Sequence, residues 1–219
     1  MQLVGERLAV DRGDRRIFDG VSFAVPAGSA LVVTGPNGSG KSTLIKAIAG
    51  FLPPAAGSVR LDGMAGADDG WRLAEHCHYL AHDNALKGQL TVAENLSFWQ
   101  RFLGPGLDIE AALEKVGLPG IGDIPAGYLS AGQKRRVAIA RLLVTARPVW
   151  LVDEPTAALD AASGKRFADI VRKHLGSGGI VVAATHQDLG LKAARFLALD
   201  NAAGHHPSPH GGGAQAAAA

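Results

Sequence analysis

Residues 35–43 read Gly35-Pro36-Asn37-Gly38-Ser39-Gly40-Lys41-Ser42-Thr43 and follow the pattern G-x-x-x-x-G-K-[ST]. The apolar run Ser29–Thr34 precedes this segment, and Ser42–Gly50 has the apolar periodicity of a helix. Glycines let the backbone turn so that successive N–H groups point inward, and the helix that follows presents its positive end to an anion. The segment therefore predicts a phosphate-binding loop, called the phosphate loop below, between a strand and a helix.

Two side chains at the end of the phosphate loop extend the prediction to a nucleoside triphosphate with Mg²⁺. Lys41 can reach the β- and γ-phosphates, and the hydroxyl of Ser42 is a ligand that a hard cation prefers. All nine residues of the loop are therefore candidate nucleotide contacts. The alternative is a glycine-rich turn without a ligand, and the loop alone specifies no more than a nucleoside triphosphate.

Length and composition restrict the class of protein. The 219 residues suit one domain or a domain with a subdomain, and 47% hydrophobic residues supply a core. The net charge of +2 excludes a globally basic nucleic-acid-binding protein. The chain's one cysteine excludes a disulfide framework and a zinc site built from several cysteines. No run approaches the ~18 apolar residues of a spanning helix, and the charged N-terminus argues against a signal peptide.

Strand-like and helix-like segments alternate along the chain. Strands are predicted at Leu3–Val10, Ile17–Val25, Ser29–Thr34, Gly57–Leu61, Cys77–Ala81, Val149–Val152 and Ile180–Ala184, and helices at Ser42–Gly50, Thr91–Leu103, Asp108–Val116, Ala131–Ala146 and Ala162–Leu175. Val-rich strands without polar alternation are typical of a parallel sheet buried on both faces. The order of elements predicts an α/β fold with a helical insertion near residues 86–146 and a disordered, low-complexity tail at Asn201–Ala219.

Two carboxylates end the strand Val149–Val152. Asp153 could hold Mg²⁺ directly or through water, and Glu154 could polarise the water that attacks the γ-phosphate. The alternative is a strand that ends in acidic surface residues.

The segment Leu129-Ser130-Ala131-Gly132-Gln133, called the signature segment below, lies about 20 residues before Asp153 and begins a helix. Ser130 offers a hydroxyl, Gly132 allows close approach, and the helix start can face an anion. A second helix end directed at the same γ-phosphate would have to come from another molecule. Taken alone, the segment would be an ordinary serine N-cap.

Two further elements complete the series of motifs. Ala158-Leu159-Asp160 follows Glu154, and His186 closes the strand Ile180–Thr185, where an imidazole can contact a γ-phosphate. Taken together, the series resembles the nucleotide-binding subunit of ATP-binding cassette transporters over residues 2–200. The resemblance implies a P-loop NTPase fold with an N-terminal antiparallel β part, a discontinuous ATP-binding core at residues 1–85 and 147–200, and a helical signature subdomain at residues 86–146.

The resemblance also implies a homodimer that sandwiches two ATP molecules, each between one phosphate loop and the partner's Ser130–Gln133. ATP and Mg²⁺ are the implied cofactors, with Lys41, Glu154 and His186 as the catalytic residues. Two positions depart from the family pattern. The adenine-stacking aromatic is replaced by Arg12, whose guanidinium can still stack on a base. The usual Mg²⁺-sensing glutamine is replaced by His82, whose imidazole can accept a hydrogen bond or ligate.

Several segments resemble, more narrowly, the ATPase of cytochrome c maturation systems. They are His82 with the following ALKGQLTVAENLSFW, LSAGQKRRVAIARL and GGIVVAATHQ. This implies a peripheral protein at the cytoplasmic face of the cell inner membrane, integral membrane permease partners, and ATPase activity that supports haem delivery or export. The alternatives are the cassette of another small-substrate transporter, a soluble cassette ATPase acting on ribosomes or DNA, and a nucleotide-binding module without turnover.

The helical insertion and its surroundings offer three weaker signals. An aromatic-rich helix surface predicts that Phe98 or Trp99 lines a groove for a permease helix. The cluster Lys134-Arg135-Arg136 predicts a solvated helix face with ion pairs rather than a nucleic-acid contact. The histidines near Cys77 fit no standard metal-ligand spacing.

Overall fold

Two β-sheets form the framework of the protein in this computed structural model, which describes residues 1–63, 73–186, 190–191 and 194–199. The first sheet is antiparallel, in the order β2-β1-β4. It contains β1 (Gln2–Arg12), β2 (Arg15–Pro26) and β4 (Ala56–Asp62). The first two strands extend beyond their predicted ends at Val10 and Ile17, because they pair as far as Arg12 and Arg15 and leave only Gly13 and Asp14 at the tip.

The second sheet is parallel, in the order β5-β6-β7-β3-β8. Its strands are β3 (Ala30–Thr34), β5 (Cys77–Leu80), β6 (Val149–Asp153), β7 (Ile180–Ala184) and β8 (Ala194–Ala198). β6 and β7 are buried along their whole length, as their uninterrupted apolar sequences predict. The predicted α/β class is confirmed.

Helices flank this sheet. They are α1 (Lys41–Ile48), α2 (Val92–Leu103), α3 (Ile109–Lys115), α4 (Ala131–Val144) and α5 (Ala161–Gly176), with short 3-10 helices at Ala74–His76 and Ala126–Tyr128. Two helices begin with a capping box, in which the side chains of two residues each accept the backbone N–H of the other. The pairs are Thr91 with Glu94 on α2 and Ser130 with Gln133 on α4. The helices α2, α3 and α4 occupy the segment between β5 and β6. The proposed subdomain boundaries at 86 and 146 stay a prediction.

The parallel sheet separates two apolar clusters, because successive side chains of a strand point to opposite faces. Val181 and Ala183 of β7 pack with the helical segment, in a cluster that includes Leu96, Val137 and Phe167. Ile180, Val182 and Ala184 pack on the other side, against α1 and the antiparallel sheet. Cys77 at the start of β5 belongs to this second cluster, and burial raises the pKa of its thiol to about 12.

One described strand was not predicted. β8 is an edge strand whose Arg195 and Phe196 are exposed, so its sequence lacks the continuous apolar run of a buried strand. The predicted disordered tail, Asn201–Ala219, lies outside the described residues. No helix in the described part of the chain is long and apolar enough to cross a membrane.

Candidate nucleotide-binding and catalytic site

The phosphate loop follows β3 directly. At two of its positions only glycine fits, because the φ angle is positive and there is no room for a Cβ atom. Gly35 has φ +143°, and a Cβ there would lie 2.3 Å from the Leu199 carbonyl oxygen. Gly40 has φ +100°, and a Cβ there would lie 2.7 Å from Cγ2 of Ile17. Any L side chain would clash at these positions, so the loop keeps its tight path only with glycine.

Lys41 folds back over the phosphate loop. Its Nζ donates hydrogen bonds of 2.9 Å to the carbonyl oxygens of both Gly35 and Pro36. The start of α1 has no side-chain cap, and the buried hydroxyl of Ser39 has no hydrogen-bond partner among the described residues. An ammonium group, uncapped backbone N–H groups and an unpaired hydroxyl together suit a phosphate group.

The end of β6 places the two predicted carboxylates side by side in the chain but in different surroundings. Asp153 is 5% exposed at the last position of the strand, whereas the Glu154 side chain is 30% exposed. Glu154 has φ +44°, a left-handed conformation that is strained for a non-glycine residue. Its backbone N–H donates to the carbonyl oxygen of Ala184, which anchors the turn to β7.

His186 connects this turn to the phosphate loop. Its Nε2 lies 3.1 Å from Oδ1 of Asn37 and 3.8 Å from Oε1 of Glu154. Three predicted residues from three separate segments are therefore adjacent in the structure. A carboxylate and an imidazole next to a phosphate-binding loop can polarise a water molecule and contact the phosphate that it attacks.

Ser42 and Asp153 are the residues whose chemistry fits Mg²⁺. Ser42 is exposed in the first turn of α1, which packs against β6, the strand that carries Asp153. Hydroxyl and carboxylate oxygens are the donors that Mg²⁺ prefers. His82 is exposed in the loop after β5, and its described contact is through its backbone oxygen, which lies 3.4 Å from Nη1 of Arg135.

Arg12 ends β1 at the hairpin tip and is exposed. Ile17, farther along the same hairpin, lies against Gly40, so the hairpin stands beside the phosphate loop.

The signature segment lies at the tip of α4. Ser130 Oγ accepts the N–H of Gln133 at 3.2 Å, and Gln133 Oε1 accepts the N–H of Ser130 at 2.8 Å. A Cβ on Gly132 would lie 3.1 Å from the carbonyl oxygen of Ala158. The side chains of Ser130 and Gln133 thus bond within the cap, Gly132 lies close to the Ala158 loop, and Leu129 packs in the apolar cluster with the helical segment. Asp160 after that loop caps α5, and the hydrogen bond from the Ser163 N–H lowers the pKa of its carboxyl.

The structure corrects the prediction for Arg135, which does not lie on a solvated face. Arg135 is 2% exposed, and its guanidinium donates to carbonyl oxygens of the loop after β5 and of the turn after β6. Its neighbour Arg136 donates to the Gly117 carbonyl oxygen at 2.9 Å. A sequence signal was present: Ala138, Ile139 and Leu142 share the helix face of Arg135 and are buried.

Comparisons with known proteins agree with this geometry. The family model described as "ABC transporter" matches residues 18–157. A "Cytochrome c biogenesis ATP-binding export protein CcmA" of Mesorhizobium japonicum is 55% identical over 197 residues, which cover 90% of this chain and 97% of that protein. The protein of the same description from Rhizobium meliloti is 54% identical and covers 91% of this chain and 98% of its own.

Solved structures share the fold. A putative ABC transporter ATP-binding protein from Pyrococcus furiosus has a TM-score of 0.80 at 24% identity and covers 91% of this chain and 98% of its own. A dimeric bacterial ABC transporter cassette has a TM-score of 0.79 at 25% identity, with 91% and 94% of the two chains covered. The family match and the two relatives above half identity show that this chain belongs to the ABC transporter family, within the group of cytochrome c biogenesis ATP-binding export proteins.

Proposed function

We propose that this chain is the ATP-hydrolysing subunit of an inner-membrane ABC transporter complex that energises haem delivery or export for c-type cytochrome biogenesis. The observation that carries the ATPase assignment is the contact of His186 with both Asn37 and Glu154, because it joins the phosphate loop to a candidate general base. The biological role rests on the cytochrome c biogenesis relatives.

Nucleotide binding is assigned to the phosphate loop and to Arg12. The backbone N–H groups of Gly35 and of residues 37–43, together with the Lys41 ammonium, would hold the β- and γ-phosphates, in place of the carbonyl contacts that Lys41 makes here. The Arg12 guanidinium would stack on the adenine, since a planar cation can lie over a base as an aromatic ring does.

Mg²⁺ would be held by Ser42 and Asp153, with His82 as a further candidate contact. When bound, the ion neutralises charge on the phosphate oxygens. Asp153 is suited to this position because it is the end of a buried strand, and a carboxylate so placed gains most from a nearby cation.

Hydrolysis is assigned to Glu154 and His186. The Glu154 carboxylate would accept a proton from the attacking water and direct its lone pair at the γ-phosphorus. His186 would donate from its ring to a γ-phosphate oxygen, because its Nε2 already faces acceptor oxygens of Asn37 and Glu154. Both side chains are partly exposed, so water can reach them.

A second copy of the chain would complete the site. Ser130 and Ala131 are exposed at the tip of α4 and Gly132 and Gln133 are half-buried, so this tip is accessible to a partner's triphosphate. A solved structure of a related cassette is titled a dimeric post-hydrolysis state bound to ADP and phosphate; its TM-score is 0.78 at 25% identity, and it covers 91% of this chain and 96% of its own. This supports a homodimer in which Ser130, Gly132 and Gln133 of one subunit contact the nucleotide of the other.

Membrane partners are assigned to the helical insertion, the part proposed as a subdomain at residues 86–146. Phe98, Trp99 and Phe102, called the aromatic patch below, lie on α2. Phe98 is 52% exposed and stacks in parallel with Phe102, which is also exposed. Exposed aromatic surface of this kind marks an interaction site, here for an integral membrane permease at the cytoplasmic face.

The test is the substitution Glu154→Gln. Because the amide keeps the shape but cannot accept the proton, phosphate release should fall by about 100-fold or more, while ATP-bound dimers accumulate in size-exclusion chromatography. Glu114→Gln, on the exposed end of α3, is the matched control. Normal phosphate release by Glu154→Gln would remove Glu154 as the base, and the absence of turnover in the unmodified protein would favour a binding module instead.

A further inference from the structure

We infer that Arg135 is a positioning residue for ATP hydrolysis, which holds Glu154 and the loop after β5 in one arrangement. This inference rests on the proposed role of Glu154 as the base. Arg135 touches no residue of the phosphate loop in its described hydrogen bonds, so its effect must pass through the groups that it holds.

The guanidinium divides its donors between two segments. On one side, Nη1 donates to the Ala81 carbonyl oxygen at 2.6 Å and to Oδ1 of Asn84 at 3.2 Å. On the other side, Nη2 donates to the carbonyl oxygens of Asp153 at 2.9 Å and Glu154 at 2.7 Å. Nε completes the second set by donating to the Pro155 carbonyl oxygen at 3.0 Å.

A guanidinium is suited to this place for a geometric reason. Its donors lie in one plane and diverge, so one side chain can hold two segments at once, whereas an ammonium is a compact point donor. Arg135 extends from α4 to the ends of β5 and β6, which are neighbours in the parallel sheet.

The backbone of Glu154 needs such a restraint. A left-handed conformation is unfavourable for a non-glycine residue and persists only where its surroundings fix it. At Glu154 the N–H is bound by the Ala184 carbonyl oxygen and the carbonyl oxygen is bound by Arg135. These two hydrogen bonds hold both peptide groups of the residue and so set the direction of its carboxylate toward His186.

The experiment compares Arg135→Gln with Arg136→Gln, its neighbour, which donates to Gly117 and not to the turn. We expect Arg135→Gln to lower kcat by about 10- to 100-fold, since small displacements of a reacting group have effects of this size. The dissociation constant for ATP should stay within threefold, and Arg136→Gln should keep normal kcat. Arg135→Lys, which keeps the buried cation but not the fork, should also lower kcat, by at least fivefold, and serves if the glutamine variant fails to fold.

A double-mutant cycle separates positioning from general structural damage. If Arg135 acts through Glu154, adding Arg135→Gln to Glu154→Gln should leave the residual turnover unchanged. An equal fold reduction in both backgrounds would overturn the inference, as would normal kcat of Arg135→Gln and Arg135→Lys. If Glu154→Gln lowers kcat but both Arg135 variants have normal kcat, the inference is rejected and the proposed function is not. If Glu154→Gln has normal kcat, the proposed base and the inference are rejected together.

Discussion

The Nε2 of His186 donates a hydrogen bond to Oδ1 of Asn37 at 3.1 Å, although 149 positions of sequence separate the two residues. The bond ties the end of β7 to the phosphate loop. The oxygens of a bound γ-phosphate would compete with Oδ1 of Asn37 for the hydrogen bond from Nε2. We therefore expect His186 to bind the phosphate in place of Asn37.

His186→Ala should therefore lower ATP turnover while ATP binding remains. Loss of a residue that contacts the transferred phosphoryl group reduces turnover by about 100-fold or more, whereas the proposed nucleotide contacts of Lys41 and the loop backbone would be unchanged. Steady-state phosphate release and equilibrium binding of a fluorescent ATP analogue measure the two effects. His76→Ala, in the 3-10 helix before β5, is the control and should behave as the unmodified protein. Equal loss of binding and turnover would contradict the assignment.

The paired capping boxes give a matched test of the dimer. Ser130→Ala and Thr91→Ala each remove one helix cap and should each lower the free energy of unfolding by about 1 kcal/mol. Only Ser130 belongs to the signature segment, so only Ser130→Ala should prevent ATP-dependent dimerisation in the Glu154→Gln background. Analytical ultracentrifugation with and without ATP measures this. If both variants dimerise normally, Ser130 does not contact the partner's nucleotide.

The aromatic patch should be needed for association with membrane subunits. Phe98→Asp places a charge in the patch next to Phe102 and should abolish co-purification with permease subunits from membranes, with ATP binding unchanged. Phe196→Asp, at a phenylalanine 73% exposed on β8, is the control and should co-purify normally. Retained co-purification of Phe98→Asp would place the docking surface elsewhere.

Buried His78 should make the fold sensitive to acid. Burial lowers its pKa to about 4, although the hydrogen bond to the Thr145 carbonyl oxygen opposes this shift. The unfolded chain then binds a proton that the folded chain does not, so stability falls as the pH drops from about 6.5 toward 4, by up to about 3 kcal/mol. Urea unfolding of His78→Asn should show a smaller loss over this range than the unmodified protein, with His76→Asn as control. Parallel pH profiles would show that His78 is not responsible.

The motifs and most of the elements could be predicted because their signals are local. The strand Ile180–Ala184 was predicted with the bounds observed, since five buried apolar residues follow a glycine-containing turn. Ser130 and Gln133 read as a helix start, and they form its capping box. The family was likewise predicted from contiguous motifs such as the phosphate loop, and the match of the family model to residues 18–157 confirms it.

The features that the sequence did not predict all depend on contacts with distant parts of the chain. β8 is a strand because it pairs with β3, more than 150 positions earlier, and not because of its own sequence. Arg135 lies in a run of basic residues that reads as surface, yet carbonyl oxygens from two strand ends satisfy its donors. The left-handed conformation of Glu154 is imposed in the same way, by partners on β7 and α4, and a polar residue after a strand gives no sign of it.

The burial of Cys77 has a practical consequence for following the motions of this molecule. Burial raises the pKa of the thiol to about 12, so very little thiolate is present at pH 7, and the residue is only 9% exposed. Because it is the chain's one cysteine, a new one introduced at an exposed position would react with maleimide dyes almost alone. Site-directed fluorophores can thus report on subunit approach without prior removal of the native sulfhydryl.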